Sequence, residues 1–153
     1  MHLQFSSYRL ACGLVSLVVL FTGCESHSTS TPVPPSVEQA LHTKFRGPLE
    51  KLVWQPAPQG WVASFHWKTI PVRSQVTGSG QILETELGLE EVDVPVGLQM
   101  ALQQRYPHYQ VQKKSYVERG NQRFYRLQLA SPDGNTRLYS FQRDGQLLPA
   151  ASH

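Results

Sequence analysis

The residues that could do chemistry are few and scattered. His27, His42, His66, His108 and His153 are the imidazoles beyond the first segment of the chain. None stands in a His-x-His or His-Glu-x-x-His arrangement, and no carboxylate completes a zinc-ligand spacing around them. No metal site is expected. Glu84, Glu86, Glu90, Glu91 and Asp93 form an acidic run. Paired carboxylates do acid–base work only when burial in an apolar pocket raises the pKa of one of them. A run in a connection between elements is expected to be solvated, with its end favourably placed before a helix N-terminus. Gly78-Ser-Gly80 lacks the context of a phosphate loop and reads as a turn. No serine occupies a Gly-x-Ser-x-Gly elbow. These residues supply no catalytic constellation and call for no cofactor, so an enzyme is the least favoured class.

The two cysteines, Cys12 and Cys24, point to location rather than reaction. Arg9 and His2 give a weakly positive start, followed by an apolar run from Leu10 to Phe21. That run is short for a bilayer span of ~20 residues and has the length of a signal-peptide core. It ends in Phe21-Thr22-Gly23-Cys24, which resembles the bacterial lipobox, with Phe21 in place of the usual Leu. Residues 1–23 are therefore expected to be a lipoprotein signal peptide, with Cys24 as the lipidated first residue of the mature chain. Cys12 would leave with the signal and Cys24 would become a thioether, leaving no thiol nucleophile, disulfide or cysteine metal site. Residues 24–35 are Ser-, Thr- and Pro-rich and lack hydrophobic periodicity, the composition of a solvated tether. Each buried acyl methylene contributes ~0.8 kcal/mol, so two or three chains would hold the protein at a membrane. An exported, envelope-facing location follows, periplasmic or at the cell surface.

The rest of the chain must be a folded domain. Of 153 residues, 40% are hydrophobic and 16% charged, which suits a modest core. The net charge of +3 is small and carried by scattered residues, with no Lys/Arg block, so nucleic acid is not an expected partner.

Val37, Ala40, Leu41 and Phe45 fall at helical spacing, with Ser36 as the expected N-cap and Gly47-Pro48 as the stop. Leu98, Ala101, Leu102 and Tyr106 repeat that spacing between Pro95 and Pro107. Strand-like segments follow each helix: Leu52–Trp54, Trp61–Trp67, Val72–Val76 and Ile82–Leu87, then Val111–Val117, Phe124–Leu129, Arg137–Gln142 and Gln146–Leu148. Gly80-Gln-Ile-Leu83 matches Gly145-Gln-Leu-Leu148. These correspondences predict an α+β fold of two tandem repeats, residues 36–94 and 95–149, each one helix plus about four antiparallel strands, with the helices on one face of the sheet. Alternation puts Trp61, Phe65 and Trp67 on the helix side as core. The opposite face then carries Ser64, His66, Arg126 and Gln128. A polar face bearing Arg is also the composition of a protein-binding surface, and these four residues are the candidate partner contacts.

The ordered series Ala63-x-Phe65, Gly80-x-Ile82-Leu83, Glu84 to Glu86, Val94-Pro95-x-x-Leu98, Ala101-Leu102, Tyr106-Pro107, Tyr125-x-Leu127 and Phe141-x-x-x-Gly145-x-Leu147-Leu148 resembles the PepSY-like group, also described as β-lactamase-inhibitor-like proteins. Gly47-Pro48 departs from the Tyr-Pro expected in the first half. The resemblance covers about Pro35 to Pro149 and implies a non-enzymatic bacterial envelope protein whose open sheet face grips a protein or peptide. It carries no catalytic residues with it. The rival reading is an envelope sensor for a small ligand or cation, motivated by the acidic stretch from Glu84 to Asp93.

Overall fold

Two short helices and a long run of strands follow the expected sequence signals. The computed structural model describes residues 32–90 and 93–149. The expected signal segment 1–23, Cys24 and most of the expected 24–35 tether lie outside the described residues, as do His27, Glu91 and His153. The order is α1 (Pro35–Lys44), β1 (Glu50–Ala57), β2 (Gly60–Trp67), β3 (Ile70–Val76), β4 (Ile82–Gly88), α2 (Val96–Arg105), β5 (Gln110–Arg119), β6 (Gln122–Ala130) and β7 (Thr136–Phe141).

Helix α1 starts earlier than its polar signal suggests. Pro35 occupies the first turn and Pro34 is the capping position, without a side-chain cap. A proline suits that place because its φ is already helical and its missing N–H would have had no partner. Ser36, expected as the cap, instead donates its hydroxyl to the Gly78 carbonyl at 3.1 Å and ties the helix to the β3–β4 turn. Each helix closes on an aromatic residue: the N–H of Phe45 donates to the Leu41 carbonyl, and that of Tyr106 to the Leu102 carbonyl.

The strands form one seven-stranded sheet in the order β1-β2-β3-β4-β5-β6-β7, every neighbour antiparallel. This overturns the expected α+β pair of tandem helix-plus-four-strand repeats: the fold is mostly β, built on a single sheet. The reason lies at the join. β4 pairs directly with β5, from Glu84 opposite Arg119 to Gly88 opposite Ser115, so one hydrogen-bonded ladder runs through both halves. The second half also falls a strand short. Gln146–Leu148, expected to match β4, makes only an isolated bridge, Leu147 to Phe141. Pro149 follows at once and has no N–H to extend a ladder.

Register carries each face across the sheet. Phe65 lies opposite Val72, Val72 opposite Leu87, Leu87 opposite Tyr116, and Tyr116 opposite Tyr125. These residues share the face that both helices cover. Leu41 and Phe45 pack on Ala63, Phe65 and Val72, whereas Leu98 packs on Leu127, Leu129 and Phe141. Phe45 meets the Phe65 ring edge-on at 5.1 Å, and the Trp67 indole N–H donates to the Arg46 carbonyl at 3.1 Å. Among the described residues, no helix lies on the other face of the sheet.

One glycine sets how closely α2 approaches the turn that precedes Leu147. Gly145 has φ +87°, and a Cβ there would collide with Ala101 of α2. Gly134 has a similar φ of +81° but open space around it. Gly145→Ala is expected to lower stability by about 2–4 kcal/mol, from backbone strain plus overlap. Gly134→Ala should cost only the backbone part, about 1 kcal/mol. Denaturant midpoints check this, and equal losses would mean that the α2 contact sets no limit.

Candidate functional site

The helix-free face is organised in transverse rows by the ladder register. Ser64, Arg73, Glu86, Val117 and Phe124 are successive partners across β2 to β6. In the next row Gly88, Ser115, Arg126 and Ser140 are partners, and His66 stands opposite Pro71. All four expected contact residues, Ser64, His66, Arg126 and Gln128, therefore lie on this face. They fall into two groups, on β2 and β6, separated by four strand spacings or roughly 19 Å. The structure does not bring them into one cluster.

Between these groups lies a charged lattice that the sequence pattern alone does not suggest. Arg126 reaches Glu84 at 2.7 Å and Glu86 at 3.3 Å through one guanidinium nitrogen, and Glu84 again at 3.3 Å through the other. Arg119 donates to Glu84 from Nε at 2.7 Å and pairs with the same carboxylate through its terminal nitrogen. Ser115 donates to Glu86 at 2.6 Å, and Lys113 approaches the same oxygen at 3.1 Å. The side chains of Arg126, Glu84 and Glu86 are 12%, 13% and 10% exposed. The guanidinium groups of Arg119 and Arg126 also lie over the Phe124 ring, at 5.7 and 5.5 Å, so the lattice caps an apolar residue on the face without a helix.

Glu84 and Glu86 do not belong to the solvated acidic connection expected of them. They are strand residues, and Glu86 is buried. Their spacing of two, inside a strand and across from basic residues at the same parity, was the available signal. Arg126 likewise is a strut more than a contact, because its charge is spent within the sheet.

The electrostatics run against acid–base catalysis at this lattice. Burial pushes the Glu84 carboxyl up, but hydrogen bonds and charge from Arg126 and Arg119 outweigh it and hold the pKa below the usual value. Burial acts the same way on Glu86 and is again outweighed, by Ser115, Lys113 and Arg126. Both acids stay ionised at neutral pH, the opposite of a poised proton donor. Burial opposes the charged Arg126 too, and its bonds to Glu84 and Glu86 still raise its pKa overall. Among the described residues no group of three or more His, Cys, Asp or Glu side chains could hold a metal ion.

Beside the lattice, at the β2 end, is a pocket of about 320 Å³. Its lining includes Lys51, Ser64, His66, Arg73, Glu86 and Lys113. The Nδ1 atom of His66 is enclosed and has no hydrogen-bond partner. Leaving such an atom unpaired costs about 1–3 kcal/mol. The backbone of Lys51, where the β1–β2 register slips, has φ +54°. A second pocket, about 230 Å³, lies against α2 between Leu102, Tyr106, Tyr109, Val111 and the sheet residues Leu127 and Leu129.

No protein-family model matches the chain, and no curated protein is similar to it in sequence. Solved structures do resemble it. A BLIP-like protein of Bacteroides fragilis superposes with a TM-score of 0.70 at 17% identity, covering 79% of this chain and 86% of that one. A protein of Bacteroides eggerthii, provisionally described as periplasmic, gives 0.70 at 19% identity over 78% of this chain and 88% of its own. A DUF2874 family protein of Bacteroides uniformis gives 0.69 at 17% identity, covering 76% and 86%. At such identities the likeness is one of fold. The β-lactamase-inhibitor-like part of the sequence resemblance thus holds for the architecture.

Two outcomes test the lattice. Arg126→Met leaves Glu84 and Glu86 short of a buried counter-charge and is expected to cost about 3–5 kcal/mol at pH 7. The depressed carboxylate pKa values contribute stability that is fully present above the unfolded-chain value of about 4.3 and is lost as pH falls through the lower folded values. Glu84→Gln should therefore be less stable at pH 7, yet show a shallower decline in Tm between about pH 5 and about pH 2 than the parent. Parallel Tm–pH curves would mean that Glu84 is not held low.

Proposed function

We propose that this protein is an exported lipoprotein, anchored through Cys24, whose BLIP-like domain binds a protein or peptide on its helix-free sheet face without doing chemistry. The observation that carries the reading is the face itself. It spans the strands from β1 to β7, carries no helix among the described residues, and is held rigid by ion pairs whose groups are already matched to one another. A preorganised sheet face loses little side-chain entropy on binding, which favours affinity from a flat surface. Exposed apolar residues flank the lattice at both edges: Val53, 54% exposed, on β1, and Leu138, 62% exposed, on β7. Apolar residues beside satisfied polar groups are the composition of a protein interface. The PepSY-like resemblance and the solved structures, one of them provisionally described as periplasmic, agree with an envelope role.

The cation-sensor alternative loses much of its motive here. Glu84 and Glu86, two of the five acids that suggested it, are engaged by Arg119, Arg126, Ser115 and Lys113.

Crosslinking in intact cells, followed by co-purification with the isolated chain, tests the binding reading. A single abundant protein should be recovered by both routes. Leu138→Arg, at an exposed position of the face on β7, should abolish recovery with Tm unchanged, and Gln104→Arg on the exposed side of α2 should not. Equal recovery by both variants, or turnover of an envelope substrate by the parent, would refute the reading. Cys24→Ser should move the protein from the membrane fraction to the soluble fraction, and continued membrane retention would refute the lipid anchor.

A further inference from the structure

We infer that the β2-end pocket is a carboxylate-binding site, and that it seats an acidic side chain of the partner with an apolar neighbour beside it. This rests on the binding role proposed for the face and names the chemistry of its anchor. Four observations converge on it. The first is shape: the pocket is a depression of about 320 Å³, and Gly88 helps to make it. A Cβ at Gly88 would run into the Pro71 ring, so no side chain fits between Pro71 and Ser115 in that row.

Charge is the second observation. Lys51, Arg73 and Lys113 line the pocket against one acid, Glu86. Glu86 is already held by Ser115, Lys113 and Arg126, whereas Lys51 and Arg73 make no ion pair or side-chain hydrogen bond among the described residues. Glu50, opposite His66 in the ladder, is exposed and is not part of the lining. The lining therefore presents two unspent cations and no unspent anion. A carboxylate meets that pattern, and a guanidinium or ammonium does not.

The third is His66. Its enclosed Nδ1 lacks a partner, and a turn of the imidazole into the pocket that His66 lines would let it, as an N–H, donate to an entering carboxylate oxygen. The fourth is Lys51, whose left-handed backbone at the bulge is unfavourable for a residue with a side chain. Bulges re-aim side chains at sheet edges, and strain of this kind gathers where a side chain must be held for a ligand. Apolar walls from Val53 and Pro71 complete the pocket. They suit a carboxylate carried on an apolar segment and offer little to a phosphate, which seeks donors all around.

The test uses peptides blocked at both ends, so that only a side chain can supply the charge: acetyl-Leu-Glu-Leu-amide against acetyl-Leu-Gln-Leu-amide, titrated into the isotope-labelled full chain and followed by NMR. The glutamate peptide should shift the His66 ring and the Gly88 and Lys113 amides in a saturable way, at least about tenfold more tightly than the glutamine peptide. Arg73→Gln should weaken it about tenfold, and Lys51→Gln less, while Arg137→Gln on β7 should leave it unchanged. Lys51 and Arg73 are both exposed, so these variants fold. Equal affinity for the two peptides, shifts confined to other residues, or no binding would overturn the assignment. Capture of the partner by the parent and by Arg73→Gln alike would overturn the pocket while leaving the binding face intact; loss of capture by Leu138→Arg, on the same face but outside the pocket, and not by Arg73→Gln separates the two failures.

Discussion

A single sheet has two faces, and two ten-residue helices can cover only one of them. That constraint shapes the rest of the molecule. Seven strands in one layer expose a second broad surface, which in a sandwich would be buried by another sheet. Here the chain covers the middle of that surface with its own charged side chains. Arg119 and Arg126 lay their guanidinium groups over Phe124 and direct their nitrogens to Glu84 and Glu86. The stems of the arginines provide apolar cover and the heads are satisfied by the carboxylates. Val117 is fully buried in the same row and needs no helix above it. A face finished this way is polar outward and rigid, and so it remains available.

The same lattice replaces what a boundary between two domains would otherwise leave weak. β4 and β5 share only five register pairs, and three of them, Glu84 with Arg119, Glu86 with Val117 and Gly88 with Ser115, belong to the rows that carry the ion pairs. Arg126 adds a bond from β6 back to β4 across the intervening strand. On the helix side Lys44 of α1 pairs with Glu118 of β5 at 2.7 Å, joining the first half to the second. Side chains on both faces thus cross the join, which is why the halves behave as one sheet rather than as two packed repeats.

What was legible in the sequence is what local chemistry dictates. Helical spacing around Leu41 and Leu98, alternation through Trp61 to Trp67, and the Asp133-Gly134 and Asp144-Gly145 turns all act over a few residues and appear where they should. The face assignment of Ser64, His66, Arg126 and Gln128 was legible for the same reason, since strand parity is local. Two things were not. Whether the second half stands apart or continues the ladder is decided by β4 meeting β5, a pairing that no local pattern encodes. The fate of the acidic run was hidden in the same way: Glu84 and Glu86 look solvated until β5 and β6 bring Arg119 and Arg126 within reach. The enclosed His66 nitrogen is invisible in a sequence, because it depends on which neighbours fail to reach it.

The two ends of the helix-free face differ in a way that bears on use. Toward β6 the charges of Arg119, Arg126, Glu84 and Glu86 are matched and Phe124 is capped, so a ligand there could only add contacts or disrupt existing ones. Toward β2 the cations of Lys51 and Arg73 are unspent among the described residues, a histidine nitrogen is enclosed and unpaired there, and the backbone of Lys51 is held in an unfavourable conformation. The unpaired nitrogen and the Lys51 backbone each cost stability in the free protein, and neither relieves the other, whereas the two exposed cations are solvated. A folded chain tolerates such local costs when the surrounding structure is firm enough to impose them. The firm part is the adjacent lattice, joined to the pocket through Glu86, which lines one and anchors the other. The face therefore pairs a satisfied support with an unsatisfied recess, and it is the recess that gains most from an incoming group.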